Sequence, residues 1–304
     1  MKRFIVSLVV LCTAFLSASA QETFFTPKAG KWAIGVTFNP ASMGSSLAIQ
    51  PKNGEFAGEY IDALAGYPKQ MFIMSQDPMA SIKIKYYLSE KNAIRAALGF
   101  NGSLVNYKEY VRDDYAYAIN PNSQNQVVDR VSSLMNSVSL MVGSEWSKGS
   151  KRVRFIYGFD LMYTIAGGNL SFAYGNKMTD LNRVPSSMPM TQSGGDWNNY
   201  VDKGWGMDYA RPVSRNNVGY IHGLGISADA GLEVFLAENI SLSAAMNFTP
   251  VMVTFQPQTY TVFEGFSTNT GRVEQVNSLV SPGSCAFLYG TQNIGCRISL
   301  TYYL

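Results

Sequence analysis

The stretch MASIKIKYYLSEKNAIRAALGF, residues 79 to 100, reads as two runs of alternating side chains joined by a short polar turn. Ala80, Ile82, Ile84, Tyr86 and Leu88 share one face of the first run, and Ser81, Lys83, Lys85 and Tyr87 share the other. After Ser89-Glu90-Lys91-Asn92 the pattern resumes, with Ile94, Ala96, Leu98 and Phe100 against Arg95, Ala97, Gly99 and Asn101. A period of two is the period of a β-strand, whose successive side chains point to opposite faces of a sheet. The charged face cannot meet lipid, and the apolar face gains little from water. The pattern therefore predicts a membrane β-barrel, apolar outside and polar within.

The same alternation recurs along the chain in pairs of runs separated by long polar segments. Trp32, Ile34, Val36 and Phe38 alternate between Lys31 and Pro40, and a Gly/Ser/Pro-rich loop with a short helix at Phe56 to Leu64 is expected up to Pro78. A polar loop is expected from Tyr107 to Asp129. Beyond it Leu134, Val138, Leu140, Val142 and Trp146 lie on one face, and a tight turn leads to Val153, Phe155, Tyr157, Phe159, Leu161, Tyr163 and Ile165. The longest loop is expected from Gly167 to Asn217. A further hairpin carries Leu224 to Val234 and Ile240 to Phe248, another loop runs from Pro257 to Gly283, and a last strand ends at Leu304. The count is about eight strands of roughly ten residues, the length a tilted strand needs to cross the hydrocarbon core. Thr259 to Glu264 and Ser284 to Tyr289 offer an extra hairpin, which would make about ten strands. Closing an all-β antiparallel sheet removes the unpaired edges that lipid does not tolerate.

Residues 1 to 20 read as a secretory signal: Lys2 and Arg3, the apolar run Phe4 to Leu16, then Ala18-Ser19-Ala20 as a small-x-small cleavage site. The mature chain, residues 21 to 304, is expected to be one outer-membrane barrel of a Gram-negative cell. It has no apolar run of about 18 residues that would make a spanning helix. Only 15% of residues are charged against 46% hydrophobic, where soluble domains average about 25% charged. A net charge of +3 without a basic cluster does not call for nucleic acid. Cys285 and Cys296 face each other if Gly290-Thr291 is a hairpin turn. They lie roughly 36 Å apart at about 3.3 Å per residue if the segment is one strand, as two free, buried thiols. The single histidine, His222, leaves nothing for a Cys/His metal site, and no cofactor is expected.

Orientation follows from loop length: short turns periplasmic, long loops extracellular. Trp32, Tyr86, Trp146 and Tyr302 then all fall at the periplasmic rim with outward parity, and Phe38, Phe100, Tyr163, Tyr220 and Phe248 at the other. Aromatic rings collect at membrane interfaces because they join an apolar body to a polar edge. With its signal, paired strands, aromatic rims and C-terminal Ile298-x-Leu300-x-Tyr302-x-Leu304, the chain resembles the small outer-membrane barrels of the OmpA/OmpX type. More loosely it resembles the outer-membrane barrel proteins of Bacteroides-like bacteria. Leu304 replaces the usual terminal Phe or Trp, the loops are longer, and no peptidoglycan-binding domain follows. The resemblance is one of architecture and brings no functional motif.

Inward parity collects Lys83, Lys85, Arg95, Arg154 and Arg297 against Glu145, Asp160, Asp229 and Glu233. An eight-stranded barrel is just wide enough to be filled by side chains. The set reads as a salt-bridged core that closes the lumen, with a narrow ion path as the competing reading. His222 lacks the neighbouring serine and acid of a lipid-modifying hydrolase; Ser227 is the nearest serine downstream, on the inward face. Trp197, Tyr200, Trp205 and Tyr209 stand in the long third loop among Asp196, Asp202, Asp208, Arg211 and Arg215, a mixture that suits a glycan or protein ligand or packs the loops into a cap. The expectation is a non-enzymatic barrel that touches outer-membrane lipid and lipopolysaccharide and acts through its outer loops. A narrow channel, an accessory subunit bound to an outer-membrane protein partner and a lipid-modifying enzyme are the alternatives.

Overall fold

The predicted hairpins close on one another in a ring. The computed structural model describes residues 27–39, 80–150, 152–187, 205–215, 220–290 and 294–304; the expected signal at 1–20 and the helix expected at 56–64 lie outside them. In chain order the elements are β1 (Trp32–Phe38), β2 (Ala80–Ser89), β3 (Asn92–Arg112), α1 (Asp114–Ile119), β4 (Gln126–Ser150), β5 (Val153–Ala173), β6 (Met207–Arg215), β7 (Ile221–Ala237), β8 (Ile240–Gln256), β9 (Thr259–Ser267), β10 (Arg272–Ser281), β11 (Ser284–Tyr289) and β12 (Ile294–Tyr303). Antiparallel pairing runs β1-β2-β3-β4-β5-β7-β8-β12 and returns to β1, so eight strands form a closed barrel.

The wall is inverted relative to a water-soluble protein. Along β5 the outward Phe155, Tyr157, Phe159 and Tyr163 are exposed, and Leu161 is 54% exposed. On the inward face Arg154, Met162 and Thr164 are buried, and Asp160 is only 3% exposed. Charged side chains are almost never fully buried in soluble domains unless paired, and a continuous apolar exterior is what lipid selects.

Four of the expectations need correction. The loop expected at 107–129 is shorter than that: β3 continues to Arg112 and β4 begins at Gln126, paired in unbroken register, with α1 between them. The long third loop likewise contains the end of β5 and all of β6, which pairs with β5 and β9. Strands β9 and β10 pair with each other, and β11 pairs with β8. The expected extra hairpin does not form: β9 and β10 stand outside the ring, and β11 extends β12 along β8. Finally, β11 and β12 follow one line along β8, so Cys285 lies opposite Phe255 and Cys296 opposite Met246. That spacing is roughly 30 Å at about 3.3 Å per residue, far beyond disulfide reach. Both thiols are free, and they are exposed on the outer face rather than buried.

Strand β8 continues past Pro250, where periodicity alone would stop it. Proline has no N–H for a ladder, but here the β7–β8 register shifts between Ile226 and Ala228, leaving Pro250 at a bulge.

At the loop end the β3–β4 hairpin carries α1 on its tip. Asp113 caps the helix by accepting from the backbone N–H groups of Tyr115 and Ala116. The Asp114 carboxylate accepts from Ser186 N at 2.6 Å, Asn182 Nδ2 at 2.9 Å and Arg112 Nη2 at 3.2 Å. Asn176 Nδ2 donates to the carbonyls of Arg112 and Ser186, strapping the segment after β5 across the hairpin. Arg211 on β6 extends the strap: its Nε donates to Glu264 at 2.7 Å, its Nη2 to the Asn176 carbonyl, and its plane lies 3.9 Å over the Tyr174 ring. Burial opposes the charge of Asp114, yet the donors from Asn182, Ser186 and Arg112 outweigh it and hold the carboxyl below the ordinary range. A depressed carboxyl contributes stability above its unfolded pKa and loses it as pH falls through the folded value. We expect Asp114→Asn to speed amide exchange over residues 176 to 187 at neutral pH without altering the heat-modified gel mobility of the barrel. In the wild type the same loosening is expected only below about pH 4.

Candidate functional site in the barrel lumen

Successive layers fill the lumen from the turn end upward. The floor is aromatic: Ala33, Tyr87, Ala93, Phe235 and Tyr303 pack as one buried cluster. Tyr303 Oη donates to Glu233 Oε1 at 2.6 Å, and Ser241 Oγ donates to the same oxygen at 2.8 Å.

Above the floor stands a network of ions contributed by different strands. Its hub is Arg95 on β3. Nε and Nη2 donate to the two oxygens of Asp160 at 2.8 and 3.0 Å. Nη1 donates to Glu145 at 2.9 Å and to Asp229 at 3.0 Å, and Nη2 makes a second bond to Asp229. A guanidinium has five N–H donors, and all of them are used on carboxylates of β4, β5 and β7. Glu145 also accepts from Lys83 at 3.1 Å and from Lys85, and Lys85 lies 3.6 Å from Glu233. Arg297 approaches Asp160 at 3.6 Å. Four cations and four carboxylates thus form one connected, balanced set. Burying unpaired ions costs several kcal/mol each, so strand placement and charge balance must agree.

Glycine makes the geometry feasible at one position. A Cβ on Gly158 would run into the Ser144 carbonyl oxygen and would stand 2.9 Å from Arg95 Nη2 and 3.0 Å from its Cζ. Only a bare backbone lets the guanidinium lie that close to β5.

Toward the loop end Met141, Met162 and Met252 form a buried layer with Ala97 and Leu288 against it. The first two are direct cross-strand partners, and Met162 is joined to Met252 through Gly225. Between the ions and the methionines lies a cavity of about 30 Å³ touched by Lys83, Arg95, Met141, Asp160 and Arg297. That volume takes about two water molecules. Hydroxyl pairs line the wall, Thr37 with Ser299 at 2.8 Å and Ser139 with Thr164 at 3.1 Å.

Of the nine lumen ions expected from parity, Lys83, Lys85, Arg95, Glu145, Asp160, Asp229, Glu233 and Arg297 come together; Arg154 stands apart, its guanidinium 5.1 Å over the Phe235 ring. The interfacial aromatics lie on the outer wall: the rings of Trp32 and Tyr86 meet at 4.8 Å, Trp146 stacks on Tyr157 at 5.9 Å, and Tyr302 is exposed. Trp197 and Tyr200 lie outside the described residues. Trp205 packs edge-on against Phe263 at 5.5 Å, and Tyr209 is exposed on β6. His222 sits on the outer wall with Nδ1 2.8 Å from Tyr163 Oη, whereas Ser227 is fully buried on the lumen side. The wall separates them.

Sequence reasoning overlooked α1. Tyr115 is 78% exposed and Ile119 69%, while Tyr117 lies under the Arg112 guanidinium at 4.1 Å. The available signal was Asp113-Asp114 ahead of Tyr-Ala-Tyr-Ala-Ile, an N-cap followed by helix-tolerant residues.

No family model and no curated protein matches the chain. Several solved structures are similar to it, among them two outer membrane proteins. The outer membrane protein OprG from Pseudomonas aeruginosa is 10% identical, with 91% of this chain and 99% of that chain covered and a TM-score of 0.29. A major outer membrane protein from Thermus thermophilus is 12% identical, with 91% and 100% covered and a TM-score of 0.35. At those values neither likeness carries weight for function, and the wall and lumen speak for themselves.

Replacing Arg95 by Met strands the carboxylate of Asp229 and takes one cation from Glu145 and one from Asp160, and is expected to cost about 3–5 kcal/mol, the range for breaking a buried pair. Arg297→Met, at the margin of the network, should cost clearly less. Gly158→Ala should also cost stability, and the part that comes from its clash with the Ser144 carbonyl should persist in the Arg95→Met background. Urea unfolding in detergent, followed by gel mobility, gives all four values; equal losses at Arg95 and Arg297 would contradict the hub.

Proposed function

We propose that this chain is a non-enzymatic outer-membrane barrel with a closed lumen, whose working surface is its long-loop end. The observation that carries the reading is the neutral ion network, which joins β2, β3, β4, β5, β7 and β12 across the lumen between an aromatic floor and a methionine layer. A conducting pore needs a continuous hydrated path, and a cavity of about 30 Å³ is not one. With the lumen filled, chemistry directed outward falls to the strapped hairpin tip, where Tyr115, Ile119 and Leu181 are exposed on a rigid support. Tyrosines beside Asn and Asp suit a glycan or a protein surface, offering flat apolar area with hydrogen-bonding edges.

Exterior chemistry supports the membrane setting. Apolar side chains face out all round the ring, aromatic rings cluster near the short turns, and the long segments lie at one end, which by the loop-length rule is extracellular. The eight-strand ring and the outward alternation of Ile298, Leu300 and Tyr302 are what support a likeness to the OmpA/OmpX type.

In planar bilayers the wild-type protein is expected to give no stepwise conductance. A maleimide that cannot cross membranes should label Tyr115→Cys on intact cells of a Cys285→Ser/Cys296→Ser chain, and should leave Lys91→Cys, in the short β2–β3 turn, unlabelled until the cells are opened. Reproducible single-channel steps would overturn the closed lumen. Labelling of Lys91→Cys from outside would invert the orientation.

A further inference from the structure

Balance in the lumen leaves one cation over. Arg154, the second residue of β5, is 4% exposed, and its Nε and Nη1 are buried with no hydrogen-bond partner among the described residues. Its cross-strand neighbour Glu233 does not neutralise it: Glu233 Oε1 already accepts from Tyr303 and Ser241 and faces Lys85. The other neighbour on the ladder is Gly149, which has no side chain. What does hold Arg154 is the Phe235 ring, 5.1 Å from the guanidinium carbon, a contact that orients a planar cation without satisfying its donors. A buried guanidinium in this state is costly unless something accepts its protons.

We propose that Arg154 is the receptor of an oxyanion site at the short-turn end of the barrel, taking a small carboxylate or phosphate group against the Phe235 face. The charge of such a group pairs with the one cation that the network leaves out, and its oxygens accept from nitrogens placed for charge-assisted hydrogen bonds. The site lies at the end that the reading above places in the periplasm, but it rests on the geometry of Arg154 alone. A conducting lumen would leave it untouched.

The test measures the thermal unfolding midpoint of the detergent-folded chain, by heat-modified gel mobility, in chloride buffer with and without inorganic phosphate at equal ionic strength. Wild type, Arg154→Met and Arg154→Lys are compared. Expected is a phosphate-dependent rise of the midpoint that Arg154→Met abolishes, with Arg154→Lys retaining part of it. A rise that persists in Arg154→Met, or the absence of any rise in wild type, overturns the proposal.

Discussion

One guanidinium organises the barrel. Arg95 reaches from β3 across the lumen to carboxylates on three other strands, and each of its donors is spent there. The interaction is strong because it is geometrically complete, and hazardous for the same reason. In a filled lumen with room for about two water molecules beside the network, little can replace a missing partner, so the net favourable energy depends on the oxygens being in place. Lys85 extends the net to Glu233, which Ser241 and Tyr303 hold from β8 and β12. Strands distant in sequence are thereby tied across the ring as well as along its hydrogen-bonded edges.

Much of this was legible in the order of residues, and the part that was not has a common cause. The eight ring strands follow from alternation between two very different surroundings, lipid and lumen, so Ile84 and Lys85 cannot exchange faces. Above the membrane that contrast disappears. Lys108, Glu109, Asp129 and Arg130 lie in paired strand; Val111 and Val131 pack with Leu170 and Phe172 on one face there, but charges fall on both faces, so no apolar-to-charged alternation announces it. Strands β6 and β10 were missed, whereas the Thr259 to Glu264 strand was foreseen but pairs with β10 rather than with Ser284 to Tyr289. The sequence also assigns inward parity to nine ions without saying at what height each stands. Height depends on the stagger of the barrel, which is why Arg154 could not be told apart from Arg95 before the register was known.

Small residues inside the ring have a positive role. Gly158 lets Arg95 lie against β5, and Gly223 stands where any Cβ would run into the Met252 methyl. Bulky and bare positions therefore alternate across neighbouring strands, as a narrow barrel requires if it is to be filled without strain. The exposed thiols of Cys285 and Cys296 fit the same division of labour. As small, weakly polar groups they are at home in a hydrocarbon-facing wall.

The reach of the β3–β4 hairpin has a mechanical consequence. Pairing with β2 stops at Gly99, yet β3 runs on to Arg112, on the order of 40 Å farther along the strand at about 3.3 Å per residue. Its tip is bound to the segment after β5 and, through Arg211, to β6 and β9. A load applied at Tyr115 is thus shared by a braced mast rather than a slack tether. Whatever docks there meets a support already ordered by these bonds, with little entropy left to lose.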